Sequence, residues 1–191
     1  MELLRTERVV LRHWQESDLP AFYDIYSRDE VTRWLGPQPR RALRTPDEAR
    51  ERLRLWRAFG SDLELPFGLW ALVPAGTAGQ QQPVGTILLL PLADSGGPTG
   101  LTEVGWHLHP EHQGRGLATE GAAAILAAAA AAGIGQVLAL TDTDNIPSQA
   151  VATRLGMADE GTTDRWFGLT MRQFRKDLTD ARGQAPGSTA G

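Results

Sequence analysis

The sequence predicts a mixed α/β domain, with an antiparallel first half and a βαβ crossover in the middle. Three observations carry this. Apolar residues recur with a helical period behind two N-cap signals in the first third. Short apolar runs bounded by glycine and proline follow, with the character of strands. Further on, a strand runs into a glycine-bearing turn that opens a long helix, and another strand comes after it. The chain has 191 residues, 41% of them apolar and 22% charged. That is the balance of an ordinary globular domain, with enough length to bury a core.

Each element has its own local cause. Residues 8–11 form a short β-rich run. Ser17 and Asp18 start a helix that carries Leu19, Phe22, Tyr23, Ile25 and Tyr26. Thr45-Pro46-Asp47-Glu48 starts a second helix: a cap, a proline at the first helical position, then acids at the positive end of the dipole. Ala49, Leu53, Trp56 and Phe59 fall on one face of it; Arg50, Arg54 and Arg57 read as a solvated face. Residues 67–73 and 84–90 read as strands joined by a loose exposed loop at 74–83, and 94–100 as a turn-rich loop. Residues 101–109 form a strand that Pro110 stops. A turn at 113–116 opens a helix to about Ala132, ended by Gly133. Its alanine-rich part reads as a buried helix packed closely on the sheet. A strand at 137–141, a helix at 146–155 ended by Gly156, and closing strands at 157–160 and 166–171 complete one domain over residues 1–178. The polar, glycine-rich stretch 179–191 reads as a disordered tail.

Composition excludes several classes. Cysteine is absent, so disulfides, thiolate zinc sites and a cysteine nucleophile are ruled out. The net charge of −4 disfavours a protein that depends on nucleic-acid backbones. The alanine-rich stretch 121–136 is shorter than the roughly 20 residues a spanning helix needs. The N-terminus mixes acids and bases without an apolar core. No membrane partner is expected, and the location expected is cytoplasmic. His107-x-His109-x-x-His112 has metal-like spacing, but no carboxylate pattern accompanies it, so no metal is expected. Trp56, Trp70 and Trp106 read as core, while Trp14, Trp34 and Trp166 lie near loops or strand ends.

The chemistry points to residues 103–120. A strand that ends in a glycine-bearing turn and opens a helix aims free N–H groups at one point, and the helix dipole adds positive potential there. A phosphate or pyrophosphate is the expected ligand. Gly114 and Gly116 allow close approach, and Arg115 adds charge. A nucleotide P-loop would need a Lys-Ser/Thr pair, and a dinucleotide turn would need a third glycine where Thr119 stands. Both fail on spacing.

Gln113-x-x-Gly116-x-Ala118 resembles the pyrophosphate motif of the GNAT acetyltransferase superfamily. Asn145-x-x-Ser148, followed by an apolar helix and Leu155-Gly156-Met157, resembles a second block of that family. The opening Thr6-Glu7-Arg8-Val9-Val10-Leu11-Arg12 is similar to the start of its RimJ/RimL-like branch. The three blocks stand in the family's order and cover roughly residues 1–176. The resemblance implies a mostly antiparallel central sheet flanked by helices, with a βαβ core that binds acetyl-CoA as co-substrate. It implies that the amides of Gly114, Arg115, Gly116, Leu117, Ala118 and Thr119, with Gln113, hold the pyrophosphate. The backbone around Trp106 and Leu108 then pairs with the pantetheine arm, Asn145 bonds the arm, and Ser148 lies near the sulfur.

Acyl transfer to an amine needs a base, a donor for the thioester oxygen and a proton for the thiolate. Glu103 is the candidate base, acting through water, with His107 on the same strand face as an alternative. The Leu108 N–H is the implied oxyanion donor. Ser148 is the candidate acid, although many relatives carry a tyrosine near this place. Arg33, Trp34 and Trp166 are candidate acceptor contacts, because the first helices and last strands form the acceptor cleft in this fold. The expected function is transfer from acetyl-CoA to a primary amine, either a protein N-terminus or a small molecule. The alternatives are a non-catalytic acyl-CoA sensor or a different acyl donor such as succinyl-CoA. The fold is compatible with a homodimer, but no residue pattern calls for one.

Overall fold

The computed structural model describes residues 2–36, 38–76 and 81–178. The tail at 179–191 and the middle of the loop at 74–83 lie outside the described residues. The elements run β1 (Glu2–Arg5), β2 (Val9–His13), α1 (Leu19–Tyr26), α2 (Asp29–Thr32), α3 (Pro46–Ser61), β3 (Gly68–Pro74), β4 (Gly85–Asp94), β5 (Gly97–Leu108), α4 (Leu117–Ala131), β6 (Gln136–Asp142), α5 (Ile146–Arg154), β7 (Ala158–Thr163) and β8 (Met171–Asp177). They build one eight-stranded sheet in the order β1-β2-β3-β4-β5-β6-β8-β7. Every neighbouring pair is antiparallel except β5 and β6. Those two are parallel because α4 carries the chain back across the sheet.

Alternation along the strands sends side chains to two layers. Val9, Leu11, Trp70, Leu72, Ile87 and Leu89 pack with Ala122, Ile125 and Ala129 of α4. Val10, Ala71 and Val73 face the other way, against Phe22, Tyr26, Ala49 and Leu53 of α1 and α3. Both faces of the central strands are covered, which is why these runs read as continuously apolar. The alanine-rich helix lies close to the sheet, as its composition predicts. A Cβ on Gly121 would stand 2.9 Å from Leu72 and 3.0 Å from Ile87. At the head of α3, Thr45 accepts a hydrogen bond from the Glu48 N–H at 3.2 Å, the expected cap.

Four expectations are corrected. β1 and the short α2 were not anticipated. The stretch 94–100 is a tight hairpin, not a loop: Asp94 pairs with Gly97, and the Asp94 carboxylate accepts from the Gly96 N–H at 2.9 Å. Residues 166–170 turn rather than extend, with Phe167 at φ 58°, and the last strand starts at Met171. Trp56 is no plain core residue. It packs edge-on against Phe22 and Tyr26 and also lines the main cleft.

Candidate active site

β5 and β6 share one registered pair, Glu103↔Leu138. Beyond it, towards Leu108, β5 has no β6 partner among the described residues, and a cleft of about 1250 Å³ opens there. It runs from the head of α4, past β5, to α2 and α3. Gln113, Gly114, Gly116, Leu117, Ala118 and Thr119 line one end, with Asn145 and Ser148 beside them. Glu103, Trp106, His107 and Leu108 line the middle, and Arg33 and Trp34 the far end.

At the head of α4 the chain makes the turn that its glycines permit. Gly114 and Gly116 take φ values of +72° and +78°, a region costly for residues with a Cβ. The turn points donors outward: the N–H groups of residues 114–119 find no acceptor among the described residues. Gln113 folds back, its side-chain amide donating to the Leu108 carbonyl at 3.1 Å. A clamp holds the turn in place. Arg8 donates to the Arg115 carbonyl at 2.9 Å, and Glu120 accepts from Arg8 at 2.6 Å, from the Arg8 N–H at 2.9 Å and from Thr6 at 2.5 Å. Sequence reasoning missed this clamp, though a signal was present. An acid in the first turn of a phosphate-binding helix repels the ligand unless a cation neutralises it.

On α5, Asn145 is the N-cap, its Oδ1 accepting from the Ser148 N–H at 3.3 Å. The Ser148 Oγ accepts from the Trp106 Nε1–H at 3.0 Å. The serine proton therefore remains available to the cleft.

Glu103 and His107 lie on the same face of β5. The Glu103 carboxylate has neither hydrogen bond nor ion pair among the described residues, and burial pushes its pKa up to about 7. Burial pushes His107 down to about 4, so its ring is neutral near pH 7. Tyr26 stands between two partners, 2.6 Å from the Thr86 Oγ1 and 3.2 Å from the His107 Nδ1. The buried Thr86 hydroxyl has no other acceptor among the described residues, so it donates to Tyr26. Tyr26 then donates to Nδ1, because the reverse order strands a buried proton. His107 consequently keeps its proton on Nε2, which has no partner among the described residues, and the residue lines the cleft. This corrects the reading of His107 as an alternative base: it meets the cleft as a hydrogen-bond donor.

Two predicted residues fall outside the cleft. Trp166 is fully buried, packed with Leu92 and Leu138, and its Nε1–H donates to Gln173 at 2.7 Å. Its neighbour Phe167 lines the cleft instead. Arg115 is exposed and does not line the cleft; its carbonyl, not its charge, is engaged. Arg33 lies over the Trp34 ring at 4.5 Å. That wall is anchored by Arg40, buried, which reaches both carboxylate oxygens of Asp142 at 2.8 Å and the carbonyls of Arg33 and Gly36 at 2.9 and 2.8 Å. Among the described residues no group of His, Asp and Glu is arranged to hold a metal. No helix of theirs is long and apolar enough to cross a membrane.

Comparison with known proteins agrees with this geometry. Residues 8–158 match the family described as Acetyltransferase (GNAT) domain. An uncharacterized N-acetyltransferase of Bacillus subtilis, YoaA, is 26% identical over 167 residues, covering 86% of this chain and 88% of its own. A GNAT-family acetyltransferase of Bacillus anthracis superposes with a TM-score of 0.72 at 18% identity, covering 93% of this chain and 99% of its own. An acetyltransferase of Salmonella typhimurium, described as modifying the N-terminal serine of ribosomal protein L7/L12, gives 0.72 at 16% identity over 93% and 99%. These last two show a shared fold. An open β5 edge, a helix head with unused donors and a family match over most of the chain lead to one assignment: the chain belongs to the GNAT acetyltransferase family and is an acyltransferase.

Proposed function

We propose that the protein transfers an acetyl group from acetyl-CoA to a primary amine by direct attack. The observation that carries this reading is that Gly114 and residues 116–119, whose N–H groups are unused among the described residues, line the same cleft as the unpartnered, desolvated carboxylate of Glu103. Backbone donors at a helix head suit a diphosphate. The open edge of β5 suits an amide-bearing arm, and the Asn145 side-chain NH₂ is left to bond it.

Glu103 removes a proton from the incoming ammonium through a water. A carboxylate poised near pH 7 both exists as a base and returns its proton readily. The Leu108 N–H stabilises the carbonyl oxygen of the acyl donor as charge builds. Ser148 gives its proton to the departing sulfur while Trp106 holds its Oγ, and the serine oxygen takes back a proton from the nitrogen that becomes the amide. The new N–C bond forms as the C–S bond breaks. One amide, one CoA thiol and one proton to solvent result from one ammonium and one thioester.

The acceptor is a small amine or a protein N-terminus, the latter being what the Salmonella neighbour is described as modifying. The test is thiol release from acetyl-CoA against a panel of amines, with succinyl-CoA in parallel. Amine-dependent release with acetyl-CoA supports the reading. Donor binding without release on any amine points to an acyl-CoA sensor and contradicts it.

A further inference from the structure

We infer that the acceptor is a zwitterionic amino acid with a bulky apolar side chain, its amine at Glu103, its carboxylate at Arg52 and the His107 Nε2–H. This rests on the amine-transfer reading above and narrows it.

The first observation is an unpaired cation. The arginines around Arg52 each have an acid: Arg50 has Asp47, Arg54 has Glu51, Arg57 has Glu16 and Arg41 has Glu48. Arg52 has no hydrogen bond or ion pair among the described residues, and it lines the cleft. It lies one turn before Trp56 on the same face of α3, and the Trp56 ring is 6.4 Å from that of His107. Its charge is felt at the Tyr26 hydroxyl, which holds the His107 tautomer. A guanidinium and a fixed imidazole N–H on one wall suit a carboxylate.

The second observation is the spacing to Glu103. It lies four residues before His107 on the same face, roughly 13 Å along the strand. That leaves room for an amine, reached through one water, next to a carboxylate. Glu30, one turn before Arg33, also lines the cleft. The mouth therefore carries both signs, which a zwitterion uses and a simple anion does not.

The third observation is apolar. Leu55, Phe59 and Phe167 are 49%, 47% and 41% exposed, and all three line the cleft, as Trp56 does. Large exposed apolar groups gathered in one cleft mark a binding surface. They are placed to cover an apolar side chain whose charged end lies deeper.

The test compares L-phenylalanine, L-phenylalaninamide and phenethylamine as acceptors with acetyl-CoA, in the wild type and in Arg52→Met. The amide's amine is less basic than that of the acid, so any preference for the acid cannot come from amine reactivity. The expected kcat/KM for L-phenylalanine exceeds both others by about tenfold or more. Arg52→Met raises its KM about tenfold, keeps kcat within about twofold, and leaves the KM for phenethylamine unchanged. Calorimetric titration of the CoA-bound protein with L-phenylalanine shows the same loss in the variant. Equal use of all three amines overturns the inference while amine transfer stands. A preference for succinyl-CoA that Arg52→Met abolishes places the carboxylate on the donor and also overturns it. CoA release with no amine at all overturns both readings together.

Discussion

The indole N–H of Trp106 on β5 donates to the hydroxyl oxygen of Ser148 on α5 at 3.0 Å. The bond spans the gap where β5 and β6 part, and it orients the serine proton. Ser148→Ala removes both the proposed proton donor and the partner of a half-buried indole. The expected result is a kcat about 10- to 100-fold lower, with the KM for acetyl-CoA little changed, and a stability loss of about 1 kcal/mol. Steady-state kinetics and thermal unfolding check this. Trp106→Phe should lose most of the stability and less of the rate.

Glu103 makes a pH prediction with a fixed sign. Its folded pKa of about 7 lies above its ordinary 4.5, so the folded chain binds the proton more tightly than the unfolded chain. The stabilising contribution of the protonated group is present below pH 4.5 and is lost as pH rises to about 7. Glu103→Gln should therefore raise the melting temperature more at pH 8 than at pH 4.5. The same substitution should remove the acidic limb of the kcat/KM profile, whose apparent pKa is near 7 in the wild type, and lower kcat at least about 100-fold.

His107 is expected to stay neutral, with its proton on Nε2, from pH 8 down to about pH 5. Its pKa of about 4 and the chain from Thr86 through Tyr26 require this. Imidazole ¹⁵N shifts report the tautomer directly. Tyr26→Phe removes the donor to Nδ1 and should return a tautomer mixture.

The cleft wall of Arg33 and Trp34, the proposed acceptor contact, depends on the Arg40–Asp142 pair. Breaking a buried pair by removing one partner leaves an uncompensated charge, at a cost of about 3 kcal/mol or more. Arg40→Met should lower stability by that order and raise the acceptor KM several-fold, because the carbonyls of Arg33 and Gly36 lose their donor. Denaturant unfolding and acceptor kinetics read the two effects separately.

Gly116→Ala strains a residue at φ +78° and brings a Cβ to 3.3 Å from the Arg8 guanidinium. A loss of about 1–2 kcal/mol is expected, with a KM for acetyl-CoA raised about tenfold and the acceptor KM unchanged. Arg8→Ala frees the turn from the other side and should raise the same KM without affecting backbone strain.

These effects also mark what the sequence discloses. The donor end of the site is local: Gln113, Gly114, Gly116 and the helix after them form the cradle within a few residues, and the resemblance in this stretch is direct. The α3 cap at Thr45 and the close packing of the alanine-rich helix are legible for the same reason. The acceptor end depends on contacts made across the fold. Tyr26 and His107 are 81 residues apart, and Arg40 and Asp142 are 102 apart. No periodicity announces such pairs. Phe167 lines the cleft in place of Trp166 because a positive φ at Phe167 turns the chain there. That turn sends the larger ring inward.

The central claim is that the amides at the head of α4 hold the pyrophosphate of acetyl-CoA. It is tested most directly by following backbone amide resonances during titration with acetyl-CoA. Saturable shifts concentrated at residues 114–119, with a second group at 106–108, are the predicted result. Saturation that leaves residues 114–119 unmoved, or no saturable shift at all, contradicts the account.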